Sequence, residues 1–172
     1  MKRILVWLWV LLMLIGSTAC QRQEGNQRYF AYLDAPAKAT LTGHINSLVF
    51  SATLETHGRS AGSTPNAKLT FTSPESLSGI CLVHQNEGWL MGLDSLTGKT
   101  DARGMGRIPA LLIEERAVRT AKVEGETVLL TLSDGASFIL DKKTGVPLRV
   151  EWNGEGRSIE IVVVDWKTEA QE

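Results

Sequence analysis

Two cysteines in 172 residues, Cys20 and Cys81, are too few for a disulfide framework. No stretch reaches the roughly 20 apolar residues that carry a helix across a bilayer. The longest uninterrupted apolar run is Ile4–Ile15, twelve residues. Charges nearly cancel, at −1 overall with the signs interspersed, which excludes the basic face that nucleic-acid binding needs. His44, His57 and His84 lie far apart with no acidic or cysteine companion at metal-ligand spacing, so no metal site is expected. Nucleophile signatures are missing as well. There is no G-x-S-x-G, and Lys143-Thr144-Gly145 has neither an S-x-x-K nor an S-D-N beside it. Gly104-x-Gly106 has no apolar strand leading into it and is followed by Pro109, unlike a dinucleotide loop. Glu114 and Glu115 are adjacent, so on a helix they point about 100° apart, a poor arrangement for shared proton transfer. Neither catalysis nor a cofactor is expected.

What is present begins at the first residue. Lys2 and Arg3 precede the apolar run, and Gly16, Ser17, Thr18 and Ala19 lead to Cys20. That is the layout of a signal peptide. The S-T-A-C end resembles the lipobox of bacterial lipoproteins, with Ser17 where Leu usually stands. The resemblance implies cleavage after residue 19, lipidation at Cys20, and anchoring on the extracytoplasmic face of the cell membrane. Two acyl chains hold a protein stably where one does not. Residues 20–33 then read as a lipidated N-terminus and flexible linker, since Gln21 to Arg28 (QRQEGNQR) has nothing to bury. With Lys2 and Arg3 gone, 16 basic residues face 19 acidic ones, a net charge of −3. Residues 34–168 make one domain of ordinary size, followed by a tail at 169–172. Acylation of Cys20 would leave Cys81 alone among Ile80, Leu82 and Val83, where a buried thiol is expected.

Within the domain, Asp34 is placed to cap a helix over Ala35 to Ile45 that opens at Pro36. From there the period switches to two. Leu48, Phe50, Ala52 and Leu54 alternate with polar neighbours, and Lys68 to Thr72 repeats the pattern before Ser73-Pro74 breaks it. Gly79 to Gln85 and Trp89 to Leu93 flank Asn86-Glu87-Gly88, a hairpin signature. Pro109 opens a second helix running to about Ala117. The last third is a meander of five strands: 122–124, 127–132, 136–141, 147–152 and 158–166, each pair joined by Asp, Asn or Gly. Leu148, Val150 and Trp152 are expected on one face, with Arg149, Glu151 and Asn153 on the other.

The run from Asp141 to Trp152 (DKKTGVPLRVEW), followed by a glycine turn and Ile159 to Trp166 (IEIVVVDW), resembles the C-terminal part of LolA/LolB-type proteins. There a D-x-x-T-G-x-P hairpin precedes a strand ending in an acidic-aromatic pair. The resemblance implies a mainly β (α+β) fold, in which a strongly curved antiparallel sheet forms an unclosed β-barrel covered by two or three helices. It extends to carriers that hold acyl chains in the hollow. It also takes in tethered lipoproteins of the spore-germination (GerS) type that support a cell-wall or cortex hydrolase. A permanent tether at Cys20 suits a binding or scaffolding module better than a shuttle. Its partner is then an envelope protein, met on an outer face bearing Arg149, Glu151 and Trp166. The alternative is an acyl chain in the hollow, with Phe50, Leu69, Phe71, Trp89, Leu111, Leu112, Phe138, Val150 and Trp152 as the expected lining. Pairing of two copies through open strand edges is left open.

Overall fold

A computed structural model describes residues 28–59, 63–85, 88–93, 96–100 and 104–168. The signal segment, Cys20 and the tail lie outside the described residues. Eleven strands form one antiparallel sheet: β1 (Pro36–Ile45), β2 (Leu48–His57), β3 (Ala67–Ser73), β4 (Cys81–Gln85), β5 (Gly88–Leu93), β6 (Leu96–Thr100), β7 (Val118–Glu124), β8 (Thr127–Leu132), β9 (Ser137–Asp141), β10 (Pro147–Gly154) and β11 (Arg157–Thr168). Their order is β6-β5-β4-β3-β2-β1-β11-β10-β9-β8-β7, so β6 and β7 form two open ends and β1–β11 is the central seam. Among the described residues a six-residue 3-10 helix, Arg28–Leu33, and one α-helix, α1 (Arg107–Ile113), supply the helical cover.

The period-two pattern sets which residues meet. Leu54, Leu69 and Leu82 stand side by side on β2, β3 and β4, and all three are fully buried. On the other half of the sheet Val150 pairs with Ile161 and with Phe138, again all buried. The core therefore lies against one face, beneath the two helices, as in an antiparallel sheet covered on one side.

Five expectations need correction. Pro36–Ile45 is a strand, not a helix. Ala37, Ala39 and Leu41 alternate inward between Lys38 and Thr40, and pairing with β2 and β11 on both sides outweighs the helix propensity of Ala, Lys and Leu. The folded unit starts before Asp34, because Phe30 and Leu33 of the expected linker are fully buried in the core. Leu148 is exposed, since a register shift between Pro147 and Arg149 turns Pro147 inward in its place. Cys81 is only half-buried, because its neighbour Leu82 takes the core side; the thiol lies over Gly92 on the opposite face. Trp166 is not an outer-face group, for its ring meets Tyr32 edge-on at 5.3 Å.

Candidate functional site

The hollow of the half-barrel is occupied by the chain itself. Phe50, Leu69, Phe71, Leu111, Leu112, Phe138 and Val150 are essentially inaccessible, and Trp89 and Trp152 nearly so. The nine expected lining residues are thus brought together, but as packed core. Phe50 and Phe71 meet edge-on at 5.6 Å, and Phe138 meets Phe30 edge-on at 6.2 Å. Edge-to-face pairs of this kind add roughly 0.5–1.5 kcal/mol beyond the area they bury.

Polar side chains fasten the plug. Helix α1 has only two turns, and its last carbonyls need donors. The Tyr32 hydroxyl donates to the Leu112 carbonyl at 2.7 Å, and Arg116 donates to the Leu111 carbonyl. Burial pushes the Tyr32 hydroxyl far above the ordinary phenol range, so it stays a donor. Arg59 joins three separate segments. Its guanidinium reaches Asp34 at 2.7 Å, Glu115 at 2.6 Å and the Phe30 carbonyl at 3.3 Å. At the other end of α1, Arg107 stacks 4.5 Å from the Trp152 ring and bonds Asp134 at 2.8 Å; Arg116 bonds the same carboxylate at 3.0 Å.

Asp134 carries a pH prediction. Burial pushes its carboxyl up, but the hydrogen bonds from Arg116 and the Ala136 amide, with Arg107 nearby, outweigh that and hold it below the usual carboxylate range. A depressed folded pKa contributes stability above the unfolded value of about 3.9, and that contribution is lost as pH falls through the folded value. The urea midpoint is expected to drop as pH falls from about 5 to below 3, and Asp134→Asn to flatten part of that slope. An unchanged slope in the variant would remove Asp134 from the account.

The open space lies at the rim. A groove of about 350 Å³ opens between the β1–β2 turn, the β3–β4 connection, the start of α1 and the start of β11. Its walls are Ile45, Leu48, Leu77, Met105, Ile108 and Ile159, with Asn46 and Arg157 as the polar side chains. Asn46 shapes this mouth. It adopts a positive φ of 52°, which Asn tolerates, and locks the two hairpin tips together. Its amide donates to the Ser158 carbonyl at 2.8 Å, and its side-chain oxygen accepts from the Ser158 amide at 2.9 Å. None of the mouth residues was among those expected from sequence. Pattern reading marks the face of a strand, while these residues share only an end of the sheet.

The outer face carries a charged row instead. Arg149 bonds Glu151 at 2.7 Å and Glu160 at 2.8 Å, and His44 lies 3.4 Å from Glu160. Among the described residues no three His, Cys, Asp or Glu side chains gather as metal ligands would, and no helix is long and apolar enough to cross a membrane.

No protein-family model and no curated protein matches the chain. Solved structures do. An uncharacterised conserved protein from Thermus thermophilus superposes with a TM-score of 0.57 at 18% identity, over 87% of this chain and 88% of that one. A domain assigned to outer membrane lipoprotein sorting from Vibrio parahaemolyticus gives 0.55 at 13% identity, over 88% and 93%. MucB gives 0.55 at 13% identity over 87% of this chain, which spans only 59% of MucB. At these identities the likeness establishes the fold, an unclosed LolA-like half-barrel.

Proposed function

We propose that this protein is a binding module of the cell envelope, tethered through Cys20 on the extracytoplasmic side, and that its rim groove receives a single acyl chain of a lipid or lipoprotein. The groove carries this reading. It is walled almost wholly by aliphatic side chains, and at about 350 Å³ it sits at the small end of ligand sites, room for one chain and not several. Each buried methylene contributes about 0.8 kcal/mol. The packed hollow speaks against a preformed acyl cavity behind the groove. The lipoprotein-sorting domain from Vibrio parahaemolyticus supports the ligand class by analogy of fold. A protein partner is the second reading, favoured by a MucA/MucB complex from Pseudomonas aeruginosa whose fold this chain shares at a TM-score of 0.50. No feature of the described residues speaks for support of a wall or cortex hydrolase. The protein works by gripping a ligand, with no bond made or broken.

The test uses palmitate bearing a diazirine and an alkyne, fed to cells making the full chain. After irradiation, peptide mass spectrometry is expected to find adducts at Leu48, Leu77 or Met105, separate from metabolic acylation of Cys20. Leu48→Glu with Leu77→Glu is expected to cut the groove adducts at least about tenfold while leaving Cys20 labelled, since burying each leucine contributes about 1.5–3 kcal/mol. Groove adducts that are missing, or unchanged in the double variant, would overturn the acyl reading. An unlabelled Cys20 would overturn the tether.

A further inference from the structure

The two open ends of the sheet differ in kind. β7 exposes Arg119, Lys122 and Glu124 and has a register shift between Val118 and Thr120. Charges and irregular register are the devices by which strand edges avoid association. β6 runs in unbroken register with β5 and carries a single charge, Lys99. Beside it lies an apolar notch of about 340 Å³.

The pairing shows what is missing at that edge. Ala39, Leu54, Leu69, Leu82 and Met91 form one cross-strand row over the inner face, from β1 through β5. The row ends at Gly98 on β6, which has nothing within 4 Å of where a side chain would begin. Two residues away on the same strand and the same face stands Leu96. At 74% it is the most exposed large apolar side chain among the described residues. A projecting leucine and an empty position thus share one free edge.

We propose that β6 pairs with β6 of a second copy of this chain, antiparallel, about a two-fold axis at Thr97. In that register Leu96 of each copy falls directly opposite Gly98 of the other. It continues the interrupted row and fills the notch against Met91. One symmetry operation serves both positions, because knob and hole lie equally far on either side of Thr97. The two Lys99 side chains sit at opposite ends of the paired strands, so no like charges face each other. An antiparallel partner strand offers hydrogen bonds to the backbone groups that β6 does not spend on β5. A foreign strand would have to supply both a leucine and a gap at matching positions; the chain supplies them to itself. About that axis three residues of each β6, Leu96 to Gly98, pair with one another; so small an interface is reinforced by tethering of both copies to one membrane through effective concentration.

The experiment places Thr97→Cys in the full chain in membranes, in a Cys81→Ala background, under mild oxidation. Directly opposed residues of an antiparallel pair have Cα atoms about 4.5–5.5 Å apart, within disulfide range. A covalent dimer is expected with Thr97→Cys and not with Thr120→Cys on the opposite edge. Adding Gly98→Leu, which fills the hole where space is open, is expected to reduce that dimer at least fivefold with the melting temperature unchanged. Failure of Thr97→Cys to cross-link, equal cross-linking in the Gly98→Leu chain, or a disulfide to some other protein in place of a second copy would each overturn the proposal. The rim groove is not touched by these changes, so this outcome and that of the acyl test are separable.

Discussion

Gly43→Val is expected to lower the stability of the domain by at least about 3 kcal/mol, read as a shift of the urea midpoint. Gly43 lies on β1 between Phe50 of β2 and Ile161 of β11. A side chain begun there would fall on the carbonyl oxygen of Glu160 and come within 2.9 Å of the Phe50 ring. Neither neighbour yields cheaply. The Phe50 ring is fully buried against Phe71, and the Glu160 carbonyl belongs to the seam that joins the two halves of the sheet. Gly98→Ala is the matched control, and under about 1 kcal/mol is expected because its side-chain space is empty. A wild-type midpoint for Gly43→Val would mean that β1 and β11 do not pair in this register.

Phe30→Ala is expected to cost about 3–5 kcal/mol, as for a fully buried core aromatic. The residue lies within the stretch that composition assigns to a linker, so the two readings predict opposite results. As a linker residue it would be nearly silent. As a core residue it removes a ring that packs on Phe138 at 6.2 Å and Tyr32 at 6.3 Å, and it loosens the segment that Arg59 holds through the Phe30 and Leu33 carbonyls. Ala31→Ser, at an exposed position of the same turn, should change stability by less than about 0.5 kcal/mol. Chemical denaturation of both variants decides the matter, and a near-wild-type midpoint for Phe30→Ala would return residues 28–33 to the linker.

The elements legible in sequence are those whose cause is local. β8 occupies the expected residues 127–132. The Asp141 turn forms as its residue types require, with one carboxylate oxygen accepting from the Lys143 amide, the Thr144 amide and the Thr144 hydroxyl, and Gly145 at a φ of 73°. The misread elements have distant causes. Asp34-Ala35-Pro36 has the composition of a helix start, and only the two flanking strands make the chain that follows, Pro36–Ile45, extended. Leu96-Thr-Gly-Lys-Thr has too little apolar content to signal a strand; β5 recruits it through pairing. Leu148 obeys the alternation on paper and breaks it in space because one register shift inverts the faces.

Sequence alone determined the period-two pattern of strands such as β2 and β8 and the turn at Asp141, because each depends on neighbours within a few residues. Tertiary structure decided whether the bowl is open or full. The answer rests on contacts such as the Tyr32 hydroxyl on the Leu112 carbonyl, 80 residues apart, which no local pattern encodes. The rim groove and the β6 edge were decided the same way. Both are built from ends and borders of strands, where what matters is which segments the sheet has left without a neighbour.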